Sequence, residues 1–499
     1  MIFLGIDSGT QSTKCIAIEL GSAKILGSGQ SAYSMIEGLP VGFKEQHPVD
    51  WIRAVEESIS LCVQQLGERV KEVAGIGVSG QQHGLVVLDQ AGNVIRPAKL
   101  WCDTSTQGQC EQLAHEFGGQ PGLIAKAGNA ILPGYTIPKL LWMKQNEPEL
   151  FDKIKTVLLP HDYINYILTG QVRMEYGDAS GTGVLKVQER EWSHELMDAV
   201  DSRVKEMFPK LGCSKEACGV LLPEVAQRLG LPTGVVVSAG GGDNMMGAIG
   251  TGNIKEGIIT ASFGTSGTLY GVSESPVIDG QGEVAAFCDS TEYWMPLVCT
   301  MNVTVITEKV RHMYGWSLSE LEQQVGSAPA GAEGLIFLPY LNGERTPSLP
   351  QGKGVLYGLT MDNMRPSHVA RAAVEGATLG LAYGLKRFRD LGMNPKEIRL
   401  TGGGSKSSVW RQIIANIFNA EVVNLETSEG AALGGAIQAA FTVLKDQGKA
   451  KTYEALCADW VVLDESSRCK PQSSEVKIYQ LMFDRFVELT RDLNQKGWI

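Results

Sequence analysis

Short apolar runs punctuated by glycine divide this chain into predicted strands, turns and helices. Residues 2–7, Ile-Phe-Leu-Gly-Ile-Asp, read as a buried strand. Gly9-Thr10 reads as a tight turn, and Lys14–Leu20 as the returning strand of a hairpin. A helical period follows over Trp51–Leu66. Val73–Ser79 is the next strand, then come a loop at Gly80–Gly84, a strand at Leu85–Leu88 and a turn at Ala91-Gly92-Asn93. A further strand, Gly234–Ser238, runs into Gly240-Gly241-Gly242, after which Asp243–Gly250 reads as the start of a helix.

The opening pattern then returns. Gly257–Ser262 is a strand, Gly264-Thr265-Ser266-Gly267 a tight turn and Thr268–Val272 a returning strand. Two such hairpins half a chain apart predict two related α/β domains. The second half ends in strand Glu397–Leu400, the run Gly402-Gly403-Gly404-Ser405, a helix near Val409–Asn419 and a glycine-rich helix, Gly430–Leu444. The expected division is 1–253, 254–445 and an amphipathic helical tail, 446–499, packed on the second domain.

Composition narrows the function. The 499 residues are 43% hydrophobic and 20% charged, with a formal net charge of −11. That balance is globular and lacks the clustered cations that a nucleic-acid backbone requires, so no nucleic-acid partner is expected. The ten cysteines form no C-x-x-C pair, which fits free thiols in a reducing, cytoplasmic setting better than a metal site. Asp7 interrupts the first apolar run too early for a secretory signal. No apolar run of about 18 residues exists, so no membrane span is expected.

Four segments could carry chemistry. In Asp7-Ser8-Gly9-Thr10-Gln11-Ser12, glycine allows close backbone approach to a phosphate and the hydroxyls add donors; a plain hairpin turn has the same look. The second hairpin, Gly264-Thr265-Ser266, strengthens the phosphate reading. Aligning the two Gly-Thr pairs sets Ser262 opposite Asp7, so only the first repeat carries a carboxylate able to bind Mg²⁺. In Gly240-Gly241-Gly242-Asp243-Asn244, Asp243 reads as a base kept ionised by a helix N-terminus or as an ordinary helix cap. Gln81-Gln82-His83-Gly84 and Trp101-Cys102-Asp103 both follow predicted strands and suit a polyol, although from spacing alone a satisfied core histidine and an ordinary loop aspartate are the better reading. Gly402-Gly403-Gly404-Ser405 could approach a nucleotide or simply pack a helix.

Together these residues resemble the FGGY carbohydrate kinases, relatives of the actin-like ATPases. Two longer stretches carry the likeness: Gly134-Tyr135-Thr136-Ile137-Pro138-Lys139-Leu140-Leu141-Trp142, and Gly354-Val355-Leu356-Tyr357-Gly358-Leu359 through His368-Val369-Ala370-Arg371-Ala372-Ala373-Val374-Glu375. The sugar-side segments are most similar to the family's xylulokinases, departing at Gln82, often Met there, and at Cys102, often Asn. The resemblance implies two actin-like ATPase (ribonuclease H-like) domains flanking a central cleft, the first holding sugar and metal and the second nucleotide. It implies ATP and Mg²⁺, with phosphates at the turns Gly9–Ser12 and Gly264–Ser266, and adenosine near Gly402–Ser405. It makes Asp243 the catalytic base and, with Asp7, a metal carboxylate. It places the sugar near Gln82, His83, Trp101, Asp103 and Asn244. The implied reaction is phosphorylation of a ketopentose, D-xylulose first and D-ribulose or another polyol as the alternative. A non-catalytic sugar-binding regulator and a motor or chaperone ATPase are the rival classes. The resemblance also admits a homodimer.

Overall fold

A computed structural model describes residues 1–22, 24–341, 343–427 and 429–499. The chain opens with strands β1 (Ile2–Ser8), β2 (Ser12–Glu19) and β3 (Ile25–Ala32), then helix α1 (Pro48–Gln64) and strand β4 (Val73–Gly80). Helix α2 (Pro160–Thr169), strands β5 (Ala217–Val220), β6 (Val236–Ser238) and β7 (Gly241–Gly242), and helix α3 (Asp243–Gly250) follow. Next come β8 (Ile258–Phe263), β9 (Gly267–Gly271), β10 (Trp294–Thr300), α4 (Thr304–Tyr314) and α5 (Pro366–Asp390). The chain ends with β11 (Glu397–Thr401), α6 (Ser408–Phe418), β12 (Glu421–Leu425), α7 (Gly430–Asp446), α8 (Tyr453–Trp460), β13 (Leu463–Cys469) and α9 (Ser473–Gln495).

These elements form two compact units. The first takes residues 1–254, 274–295 and 429–461; the second takes 255–273, 296–428 and 462–499. A single cut near residue 253 therefore misses two returns of the chain to the first unit. The segment 446–499, read as a helical tail, also contains the strand β13, which pairs antiparallel with β12. Its sequence, Leu-Asp-Glu-Ser-Ser-Arg-Cys, has no apolar alternation, and its backbone partner lies some way back in the chain.

In the first unit the strand order is β5-β6-β4-β1-β2-β3, with β7 also beside β4. β1 and β4 run parallel and β1–β2 is the antiparallel hairpin. Ile2, Phe3, Leu4 and Ile6 are all buried, as a strand covered on both faces demands. Helix α1 begins with Pro48 in its first turn and buries Trp51, Ala54, Val55, Ser58, Ile59 and Cys62, a single helical stripe. Helix α7 lies against this sheet at very short range. A Cβ on Gly5 would fall 1.8 Å from the Ala432 carbonyl oxygen, and one on Gly77 would fall 1.9 Å from that of Gly435.

The second unit repeats the plan, with strand order β10-β9-β8-β11-β12-β13. β8 pairs antiparallel with β9 and parallel with β11, as β1 does with β2 and β4. The internal repeat is thus real at the level of topology. Among the described residues, no helix is long and apolar enough to cross a membrane.

Candidate active site

The parallel register brings the first site together. Asp7 on β1 lies opposite Ser79 on β4, and Gly241 on β7 lies opposite Ser79 on the other side. Asp7, Ser79 and the residues after β7 therefore share the C-terminal edge of the sheet, where open α/β sheets bind ligands. Ser79 Oγ donates to Asp7 Oδ1 at 3.0 Å. The adjoining turn is held through its carbonyl groups. The Tyr33 hydroxyl donates to Gly9 O (2.5 Å) and Gln46 Nε2 to Thr10 O (2.7 Å). Trp101 Nε1 donates to Thr10 Oγ1 (3.0 Å), the Gln11 carbonyl accepts from Tyr33 N–H (3.0 Å), and Ser12 Oγ accepts from Gln30 Nε2 (3.0 Å).

Asp243 is the first residue of α3, and its cap is Gly242, extended at φ −65° and ψ 155° with no side chain to bond. The helix-cap reading of Asp243 therefore fails. Its carboxylate instead accepts from Asn244 Nδ2 at 2.9 Å, and the same amide donates to Gln82 Oε1 at 2.8 Å. The expectation that the helix N-terminus keeps Asp243 readily ionised is also reversed. Burial, then the charges of Asp7 and Asp178, push its pKa up to about 8, against hydrogen bonds from the Asn244 and Asp243 backbone. Asp7 is pushed up to about 6, chiefly by burial, with Ser79 opposing.

The sugar-side residues divide. Gln82 joins the Asp243 network, and its Nε2 lies 3.3 Å from Met245 Sδ. His83 sits at φ 63° with its carbonyl gripped by Lys139 Nζ (2.7 Å) and Thr136 Oγ1 (3.2 Å). Its ring lies 5.0 Å from Tyr135 and 5.8 Å from Phe287. Trp101 joins the first turn through its bond to Thr10. Asp103 does not reach it. The residue is fully buried, and its carboxylate accepts from Lys44 N–H (2.9 Å), Lys99 Nζ (3.2 Å), Ser105 N–H (2.9 Å) and Ser105 Oγ (2.5 Å). Those four bonds use both lone pairs of each oxygen. Lys99, four residues earlier and equally buried, is the partner that the motif does not reveal.

Sequence reasoning missed a buried histidine-carboxylate cluster behind Asp243. His161, at the start of α2, lies 3.0 Å from Asp162 and 2.6 Å from Asp178. Burial opposes its charge, yet the Asp162 and Asp178 carboxylates beside it push its pKa above the usual imidazole range. Asp178 in turn faces the glycine run before Asp243: a Cβ on Gly242 would meet its Oδ1 at 3.0 Å. Nothing short-range in the sequence joins 161, 178 and 243.

In the second unit, the Gly264 carbonyl accepts from Thr304 N–H (2.9 Å) and the Thr265 carbonyl from Val303 N–H (3.1 Å), which fixes the turn to the start of α4. The run Gly402–Ser405 lies against the same turn. A Cβ on Gly402, at φ +83°, would sit 2.6 Å from the Phe263 carbonyl carbon and 2.9 Å from Gly264 N. Gly403 faces open space, Gly404 packs on Phe263 and Trp410, and Ser405 Oγ donates to Gly402 O (2.8 Å). The two glycine motifs of this half thus form one surface. Ser266 contributes its backbone to the same turn, between β8 and β9.

A hairpin-and-glycine plan thus occurs in both units, with a carboxylate on the first strand of one copy only. The chain belongs to the FGGY family of carbohydrate kinases: residues 2–250 match its N-terminal domain and 259–443 its C-terminal domain. It is an ATP-dependent sugar kinase. It is 43% identical over 492 residues to a xylulose kinase from Haemophilus influenzae, covering 97% of this chain and 99% of that one. A xyloylose kinase structure from Brucella ovis superimposes with a TM-score of 0.90 at 29% identity, over 99% of this chain and 100% of that one. A gluconate kinase structure from Lactobacillus acidophilus also gives 0.90, at 25% identity, over 99% and 98% of the two chains. Fold likeness alone therefore leaves the sugar to be argued from the site.

Proposed function

We propose that this chain transfers the γ-phosphoryl group of ATP to the terminal 5-hydroxyl of a ketopentose, D-xylulose before D-ribulose, with Asp243 as the base. The observation that carries this reading is the placement of Asp243: a buried carboxylate at the start of α3, tied through Asn244 to Gln82 and close to Asp7. The relative named xylulose kinase at 43% identity supports the choice of sugar.

The chemistry follows from the charge arrangement. As the sugar oxygen bonds to phosphorus, its proton passes to Asp243 and ADP leaves. The transition state is loose, so the protein chiefly positions groups and balances charge. Without a bound cation the Asp243 carboxyl is pushed up to about 8, against about 3.9 for an ordinary aspartate, and a nearby cation would favour the ionised form that accepts the proton. The turns Gly9–Ser12 and Gly264–Ser266 are the proposed phosphate contacts, and Gly402–Ser405 the adenosine contact.

The residues fit Mg²⁺. Asp7 and Asp243 are buried carboxylates, the charge of Asp7 raises the proton affinity of Asp243, and a cation would relieve that repulsion. Among the described residues, no group of three or more His, Cys, Asp or Glu could hold a metal. Mg²⁺ suits such a site because it binds through one or two carboxylates plus phosphate oxygens and water. When bound it would neutralise phosphate charge. All ten cysteines are free, which supports a reducing, cytoplasmic setting, and the net charge of −11 supports action without nucleic acid or membrane.

Asp243→Asn tests the base directly in a coupled ADP-release assay with D-xylulose. The expected result is a loss in kcat of about 10²–10⁴, the scale of general-base catalysis, with nucleotide affinity nearly intact. Near-normal turnover would remove Asp243 from that role.

A further inference from the structure

The loop that delivers Asp243 is three glycines long, and glycine brings no side chain to hold itself in place. On one side β7 pairs with β4. Just before it, Gly240 turns at φ +74°, and a Cβ there would fall 2.7 Å from the Val78 carbonyl oxygen, so only glycine fits. What fixes the Gly240 peptide is a side chain from far along the chain. Gln438, on α7, is fully buried. Its Oε1 accepts from Gly240 N–H (2.7 Å) and Ser238 Oγ (2.8 Å). Its Nε2 donates to Gly240 O (3.0 Å) and Ser214 O (3.3 Å). One primary amide thus pairs with both the N–H and the C=O of a single residue, as an adjacent strand would, and uses all four of its hydrogen-bonding positions.

We infer that Gln438 is a positioning residue for phosphoryl transfer: its amide stands in for a missing strand beside Gly240 and so fixes where Asp243 is held. The helix that carries it is well anchored. A Cβ on Gly434 would lie 1.8 Å from Met246 O, and one on Gly250 would lie 1.7 Å from Gly430 O, so α7 and α3 touch backbone to backbone. Gln438 and Asp243 are therefore joined twice, through the loop and through the helix pair. Without the amide, Gly240 loses both partners and the glycine run can turn in more ways, which moves the carboxylate.

This inference rests on Asp243 being the base, and the test separates the two claims. Gln438→Met keeps the side-chain length and removes all four hydrogen bonds. Thr442→Val is the control: Thr442 is buried one turn further along α7 and its hydroxyl donates to Gln438 O at 2.9 Å, so its loss weakens the same helix without touching the loop. Both variants are compared with Asp243→Asn for melting temperature, kcat and KM for ATP. Gln438→Met is expected to lower kcat by about ten- to 10²-fold, the scale of a small misplacement of a reacting group, with KM for ATP unchanged. Thr442→Val is expected to lower the melting temperature and leave kcat alone. If Gln438→Met folds and keeps the parental kcat while Asp243→Asn is inactive, Gln438 is merely structural and the inference is overturned. If Asp243→Asn itself turns over normally, the proposed base falls and takes this inference with it. If Gln438→Met does not fold, Gln438→Glu replaces it: the carboxylate still accepts from Gly240 N–H but faces the Gly240 and Ser214 carbonyls without donors, so the same kcat loss is expected and a parental kcat overturns the inference.

Discussion

At Asp243 three effects compete: a helix N-terminus, complete burial and the nearby charges of Asp7 and Asp178. The first favours the anion and the other two oppose it. The outcome, a pKa pushed up to about 8, shows that burial and like charge win. A carboxylate raised in this way binds its proton more tightly in the folded than in the unfolded chain. Its folded state is therefore penalised progressively as pH rises from the unfolded value near 4 to about 8. Asp243→Asn removes the penalty. Without nucleotide or metal, its melting temperature is expected to exceed the parent's at pH 8 and to approach it toward pH 5. A variant less stable than the parent at pH 8 would show that Asp243 is not strained by its surroundings. Asp7 makes a different prediction. If it serves Mg²⁺, Asp7→Ala should move the Mg²⁺ titration of activity to higher concentration, and an unchanged titration removes Asp7 from the metal site. Single residues are also where the sequence misleads. Trp101-Cys102-Asp103 has the look of a sugar motif, but Asp103 is enclosed by Lys99, Lys44 and Ser105. Lys99 lies four residues earlier on a two-residue strand, Ala98–Lys99, too short to leave a pattern to read.

The elements are more legible than the residues. Both hairpins, the strands before the glycine runs and the helix near 430 are readable, because buried strands form continuous apolar runs and glycine marks their turns. Strand β13 is not, since its residues are polar and its order comes from pairing with β12. Nor is the destination of α7, which follows strand β12 of the second unit in sequence but packs into the first. Its glycines are the signal in hindsight: Gly434 permits backbone contact with α3. Two alanine substitutions separate packing from ligand contact. Gly434→Ala would place a methyl 1.8 Å from Met246 O and is expected to cost about 1–3 kcal/mol, read as a lower melting temperature. Gly403→Ala meets nothing within 4 Å, so its melting temperature should hold while KM for ATP rises, if adenosine lies there. An unchanged KM for ATP would remove Gly403 from the nucleotide site.

For the whole molecule, the question is which sugar the two units serve. The overall fold is shared with a xyloylose kinase and a gluconate kinase, so the choice of sugar is argued from side chains. Gln82 and Asn244 present amides, and the proposed site in the first unit adds the carboxylates of Asp7 and Asp243. Lys139, beside His83, is turned to the carbonyls of His83 and Gly134. A sugar acid would therefore bring a further negative charge with no counter-ion in the proposed set. Glycerol would leave buried polar groups without partners, which costs far more than a missing methylene. D-ribulose differs from D-xylulose in the direction of one hydroxyl and is the nearest competitor. The most direct measurement is kcat/KM for D-xylulose, D-ribulose, L-ribulose, gluconate and glycerol under one set of conditions with ATP and Mg²⁺. D-xylulose is expected to lead that ranking, with gluconate and glycerol far below the pentuloses; gluconate or glycerol in first place would contradict the account.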